Sequence, residues 1–250
     1  MALSDVDGLV TAVANALGLS FEDGAPQAQL HDYLRQKELL LILDNFEHLL
    51  ADDEAVTLLA GLLQQAPELR LIVTSRERLR LQAEKLLELT GLPYPPIGTT
   101  PPEPQPEEPW AAIQLFVERA RQVMGDFAPR SAEMTAVRQL CTLLAGIPLA
   151  LELAATWIRT MPLPELVTEL TQNVSALETT LRDVPERHRS LRAVFEYSWQ
   201  LLTPAERTAF AQLSVFRGGF TRQAALEVAA VSWQTLAGLI DKSLLRLDGD

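Results

Sequence analysis

Carboxylates and hydroxyls at the ends of two apolar runs are the residues of this chain best suited to chemistry. Leu39-Leu40-Leu41-Ile42-Leu43 runs straight into Asp44-Asn45-Phe46-Glu47, and Leu69-Arg70-Leu71-Ile72-Val73 runs into Thr74-Ser75-Arg76. An uninterrupted aliphatic run like the first reads as a strand buried on both faces, as in the middle of a parallel sheet. A carboxylate at the C-terminal edge of such a strand lies where α/β folds place their ligands. In nucleotide-binding sheets that position, called Walker B, holds Mg²⁺ directly or through water. Asp44 also reads as a plain cap of the turn after the strand.

Composition removes several other chemistries. Cys141 is the only cysteine, so neither a disulfide framework nor a thiolate metal cluster is expected. His31, His48 and His188 are scattered and none has ligand spacing. The net charge is −12 and uneven: residues 1–184 hold 13 Lys/Arg against 26 Asp/Glu, and residues 185–250 hold 8 against 7. Neither part has the basic excess of a nucleic-acid footprint, so direct nucleic-acid binding by this chain is disfavoured. No apolar run approaches the ~18–20 residues of a membrane-crossing helix. The N-terminus lacks the basic-then-apolar pattern of a signal peptide. The expectation is a cytoplasmic chain with no membrane partner.

The elements that must position Asp44 follow from periodicity. Ser4-Asp5-Val6-Asp7 resembles a capping box, and Val6, Leu9, Val10, Val13 and Leu17 recur at helical spacing, which predicts a helix over 5–17 stopped by Gly18. A second helix is expected over 27–36 and the strand over 38–43. Asp52-Asp53 opens a helix over 54–65, closed by Pro67, before the second strand over 69–76. Two parallel strands joined by such a helix make one βαβ unit. Leu86–Leu89 is a candidate third strand.

Residues 93–109 contain eight of the sixteen prolines, a density that favours extended polyproline II and marks a semi-rigid linker. Beyond it the pattern is helical: 110–124, then 131–144 with Ser131 as cap, a break at Gly146-Ile147-Pro148, a nearly all-apolar helix over 149–159, and a shorter one from Pro164. From Arg187 onward Leu191, Val194, Phe195, Trp199 and Leu202 mark a helix. Thr203-Pro204-Ala205-Glu206 is a full helix start, with Thr cap, Pro at the first position and Glu three after the cap. Thr221 and Ser232 cap two more helices, and Ser243–Leu247 reads as the start of a strand. Several short helices followed by a hairpin outline a winged helix. The four tryptophans, Trp110, Trp157, Trp199 and Trp233, are read as core or domain-contact residues.

As a set, five stretches in order resemble a family: Leu41–Leu49, Ile72–Arg76, Gly146–Ala155, Arg187–Arg192 and Leu239–Leu245. They look like the STAND class of signalling ATPases, close to the NB-ARC type. The likeness is greatest to bacterial regulators that carry LuxR-type or SARP-type DNA-binding domains elsewhere in the chain. The resemblance implies an α/β plus all-α fold: a truncated parallel sheet of P-loop NTPase type with helices, then a helical domain and a winged-helix domain. The boundaries are 1–92 for a partial nucleotide-binding domain, 93–109 for the linker, 110–183 for the helical domain and 184–250 for a C-terminally cut winged helix.

It also implies roles. Asp44 would be the metal-organising Walker B carboxylate. Asn45 stands where many relatives carry a second acid, and an amide cannot accept a proton at neutral pH, which puts fast hydrolysis in doubt. Glu47 would substitute as catalytic residue, or is simply a carboxylate placed favourably near a helix N-terminus. Thr74 and Arg76 look like sensor 1, with Arg76 on the γ-phosphate through its fork geometry, or as an arginine closing a strand end. Gly146 and Pro148 look like the GxP motif near adenine, or like a plain helix break. Arg187-His188-Arg189 reads as a solvated cap region.

No Gly-x-x-x-x-Gly-Lys-Ser/Thr loop is present in the chain, and that loop cradles the phosphates. The resemblance would place it before residue 1, and the winged-helix histidine motif after Asp250. The implied function is the central part of an ATP/ADP-controlled signal-transduction switch in a transcriptional regulator, a slow ATPase when intact, opening and oligomerising on exchange. ATP/ADP and Mg²⁺ serve the intact parent, and this chain alone is expected to bind nucleotide weakly or not at all and to be inactive. Its partners would be other domains of the parent, namely sensor repeats and a DNA-binding domain, and copies of itself. A non-enzymatic scaffold and a winged-helix DNA-binding protein are the alternatives.

Overall fold

The computed structural model describes residues 5–22, 24–96, 110–173, 177, 178, 190–216 and 219–247. Most of the proline-rich linker, from residue 97 to 109, and Arg187-His188-Arg189 lie outside them. Among the described residues the chain forms eleven α-helices and one two-stranded parallel sheet, a mixed α/β and helical architecture. It divides into two compact units, Met1–Leu86 with Leu202–Asp250, and Leu87–Leu201.

In the first unit α1 (Val6–Leu17), α2 (Pro26–Leu34) and α3 (Asp53–Gln65) surround strands β1 (Leu39–Leu43) and β2 (Leu69–Val73). The cap of α1 is Asp5, whose carboxylate accepts from the Gly8 N–H. Gly18 ends that helix in the left-handed region (φ 65°), its N–H reaching Ala14 and Asn15 carbonyls, as its composition predicts. One carboxylate serves two helix starts: Asp52 accepts from Glu54 N–H at 2.9 Å and from Val6 N–H at 2.9 Å. That satisfies orphan donors of α3 and α1 together.

β1 and β2 pair in register from Leu39↔Leu69 to Leu43↔Val73. The expectation of a strand buried on both faces is corrected. Leu41 and Leu69 enter the core with Val10, Leu34, Phe46, Leu59 and Leu62. On the opposite face Leu40, Ile42 and Ile72 are 51%, 62% and 50% exposed. The helices packed against this sheet bury only the Leu41 side. Leu86–Leu89 is likewise not a third strand among the described residues: Leu87 and Leu89 are exposed, and the segment has no ladder partner there.

The same unit contains α9 (Pro204–Leu213), α10 (Arg222–Ala229) and α11 (Trp233–Asp241). The Thr203 capping box forms as the motif predicts, with Glu206 reaching back to the Thr203 N–H at 2.8 Å. Ser243–Leu247 is not a strand. Ser243 turns left-handed (φ 56°), and the N–H groups of Leu244 and Leu245 both return to the Leu239 carbonyl, closing α11 instead. Trp233 is not core: it is half exposed, with the Arg222 guanidinium 5.0 Å above its ring.

The second unit packs α4 (Ala111–Val123), α5 (Ser131–Leu143), α6 (Pro148–Trp157), α7 (Leu163–Gln172) and α8 (Leu191–Gln200). Ser131 is the first helical residue of α5, and the capping carboxylate is Glu133, accepting from Arg130 N–H at 2.9 Å. The apolar α6 is central as expected, with Ala150, Leu151, Leu153, Ala154 and Ala155 buried, and its lone charge Glu152 meets Arg119 of α4 at 3.0 Å. Leu92–Pro96 straps this core: Leu92 N–H donates to Gly146 O at 2.8 Å and Thr142 Oγ1 to Pro95 O at 2.9 Å. Gly146 sits at φ 65°, and a Cβ there would collide with the Leu92 carbonyl. Gly146→Ala therefore costs about 2 kcal/mol from the left-handed backbone and the displaced strap. A lowered urea midpoint checks this, and an unchanged one contradicts it.

Candidate functional site

The strand register sets the site. Because β1 and β2 end level, Asp44 and Thr74 stand side by side. Thr74 Oγ1 donates to Asp44 Oδ1 at 2.5 Å and accepts from the Asn45 N–H at 3.0 Å. Its backbone works too: Thr74 N–H donates to Leu43 O at 2.9 Å, and Thr74 O accepts from Phe46 N–H at 2.9 Å. Asn45 sits in the left-handed region (φ 58°) and caps a short 3₁₀ turn, Phe46–Leu49. Asparagine tolerates that backbone better than most residues. Its presence after Asp44 is thereby explained by the turn.

Glu47 is buried, and Arg76 lies 3.6 Å from its carboxylate. The two residues singled out in sequence as hydrolytic and phosphate-reading are thus partners of one ion pair. The structure brings Asp44, Asn45, Glu47, Thr74 and Arg76 to one end of the sheet. Gly146 and Pro148 belong to the second unit, where Pro148 opens α6 as its first residue.

Asp44 is exposed, and its carboxylate with the Thr74 hydroxyl offers hard oxygen donors. Such donors suit Mg²⁺, which takes one or two protein carboxylates and completes its shell with phosphates and water. Among the described residues no three metal-ligating His, Cys, Asp or Glu side chains come together. A shallow depression of ≈540 Å³ lies elsewhere, between α2 and α3 around His31, Asp53 and Thr57.

A set of ion pairs gathers around the loop that follows Thr74. Arg78 and Arg80 both meet Asp241, at 3.4 and 3.0 Å, and Lys242 meets Glu206 at 2.8 Å. Burial pushes the Glu77 carboxyl above its ordinary value, and the charges of Glu206 and Glu47 add to this while Lys242 and Arg80 oppose it. Glu206 goes the other way: burial raises it most, but hydrogen bonds from Lys242 and Thr203 together hold it below the usual range. The only hint in the sequence is the alternation Arg76-x-Arg78-x-Arg80.

No family model matches the chain, and no solved structure matches it at a significant level. It is 33% identical over 250 residues to a Mycobacterium tuberculosis protein named "Putative HTH-type transcriptional regulator", covering 96% of this chain and 26% of that one. A Mycobacterium bovis protein of the same description matches equally. An uncharacterized M. tuberculosis protein is 31% identical over 257 residues, covering 99% of this chain and 61% of its own length. The chain spans about a quarter of the length of the first two relatives. Among the described residues no helix is long and apolar enough to cross a membrane.

Two outcomes follow from this geometry. Thr74→Val removes two side-chain hydrogen bonds and lowers stability by about 1–2 kcal/mol, while Thr74→Ser keeps both; chemical denaturation of the pair checks it. Glu77 has a folded pKa above its unfolded value of 4.5, so ionising it in the fold carries a stability penalty, and that penalty is absent at low pH. Glu77→Gln therefore raises the urea midpoint at pH 8. Variant and parent converge as the pH falls below about 4. A gap that persists or grows in acid contradicts this.

Proposed function

We propose that this chain is the central part of an ATP/ADP-controlled switch within a longer transcriptional regulator. The observation that carries the reading is the Asp44–Thr74 pair, held level at the C-terminal ends of two parallel strands. Ligands of parallel α/β sheets bind at that end. Relatives named as regulators support the setting.

On this reading residues 1–92 contribute half of a nucleotide site, 110–183 a helical domain and 184–250 a winged helix. Asp44 would hold Mg²⁺, which when bound would supply positive charge against the phosphates. Thr74 orients the Asp44 carboxylate by donating to one of its oxygens, which leaves the second oxygen for the metal. Arg76 leaves Glu47 to meet the terminal phosphate, so a bound nucleotide competes with an internal ion pair. Asn45 accepts no proton, which suits a timer that hydrolyses slowly. Self-association and contacts with other domains of the longer protein read out the bound state.

One observation favours a DNA-binding alternative. α10 and α11 are joined by the short turn 230–232, left-handed at Ala230 (φ 49°), a connection of the length a helix-turn-helix uses. Against it, α11 reads Trp-Gln-Thr-Leu-Ala-Gly-Leu-Ile-Asp, with no cation for phosphate.

The switch is tested by nucleotide retention in the longer protein. Asp44→Asn weakens Mg²⁺-dependent ADP or ATP binding about tenfold by calorimetry, from loss of one charged metal ligand. Equal affinity with and without the Asp44 carboxylate refutes the assignment.

A further inference from the structure

Asp241 ends α11, where a carboxylate faces the negative end of the helix dipole. Local preference works against an acid at that position, so its neighbours must compensate. Two cations do, and both come from the loop that leaves β2. Arg78 Nε lies 3.4 Å from Asp241 Oδ1 and Arg80 NH2 3.0 Å from Oδ2, while Arg78 N–H donates to the Asp241 carbonyl at 3.3 Å. The loop is preset for this. Arg80 is in the left-handed region (φ 59°), and the Glu84 carboxylate clamps it by accepting from the Leu79 and Arg80 N–H groups, each at 3.0 Å. A strained residue held by a dedicated clamp points to a built feature.

The helices on the far side of this contact are tied among themselves by other groups. Lys242 pairs with Glu206 of α9, both side chains largely buried, and Gly238 leaves room for the Glu206 carboxylate against α11. Glu206 also closes the Thr203 capping box. The α9–α11 bundle thus keeps its internal ties when the bond to Arg78 and Arg80 is cut.

We infer that Arg78, Arg80 and Asp241 form an ionic latch that fastens the α9–α11 bundle to the exit loop of β2 and releases it as a unit. The same loop carries Arg76, two residues before the first latch arginine, so release also frees the backbone that aims Arg76. The latch needs no nucleotide, and its test stands apart from that of the switch.

Trypsin cleaves after Arg78 and Arg80, so their protection reports the closed latch. Asp241→Asn speeds cleavage at these two bonds about fivefold, the scale expected from losing two partly exposed ion pairs. Hydrogen exchange rises in residues 76–84 and 241–245, while α9 and α10 keep their protection. Arg80→Gln deletes its own cleavage site, so it is read at the Arg78 bond and by exchange, where it gives a smaller rise; Arg80 is 70% exposed, so this variant leaves the core intact. In 1 M NaCl the parent approaches the variants. Unchanged cleavage and exchange in both variants overturns the latch. So does exchange that rises equally in α3, α9 and α10, because that marks Asp241 as ordinary structural cement.

Discussion

Thr74 uses every polar atom it has to join two strand ends. Its N–H meets Leu43 and its carbonyl meets Phe46, while its hydroxyl bridges Asp44 and the Asn45 N–H. Each bond holds only while β1 and β2 stay in register, because a one-residue slip would turn the Thr74 side chain to the other face. The position of Asp44, the left-handed turn at Asn45 and the burial of Phe46 and Glu47 all descend from this junction. So does the exit direction of the loop carrying Arg76, Arg78 and Arg80.

The sheet that presents this junction is small and one-sided. Helices cover the Leu41 and Leu69 face, and Leu40, Ile42 and Ile72 face outward. Parallel strands are ordinarily covered on both faces, since their runs are apolar throughout. The free face is the main departure of this unit from that arrangement, and its residues are those of a buried strand.

Electrostatics in the first unit is organised by pairing across distance in sequence. Glu47 and Arg76, Asp241 with Arg78 and Arg80, and Glu206 and Lys242 each join separate elements. Glu77 sits amid them with a raised pKa, because burial outweighs the pull of Lys242 and Arg80. The second unit relies on aliphatic packing around α6 and on the backbone strap at Gly146. Its polar ties between distant segments include Arg119 with Glu152, the Thr142 hydroxyl with the Pro95 carbonyl and the Trp157 indole N–H with the Glu178 carbonyl.

Sequence alone determined the elements whose cause is local. The Thr203-Pro204-Ala205-Glu206 start, the Gly18 stop, the burial of α6 and the two apolar strands follow from capping chemistry and periodicity within a few residues. That Asp44 and Thr74 stand at strand ends was legible because each ends an apolar run. Tertiary structure alone decided the rest. A continuous aliphatic run does not say how many faces will be covered, so the exposure of Ile42 was hidden. Leu86–Leu89 and Ser243–Leu247 have strand-like composition, but a strand also needs a partner, and α11 captured the second of these with its own carbonyl. The pairing of Glu47 with Arg76, and of Asp241 with two arginines some 160 residues away (|i−j| = 161 for Arg80), depends on chain reversals that no local pattern encodes. Charge partners are chosen by proximity in the folded chain, and only folding supplies that proximity.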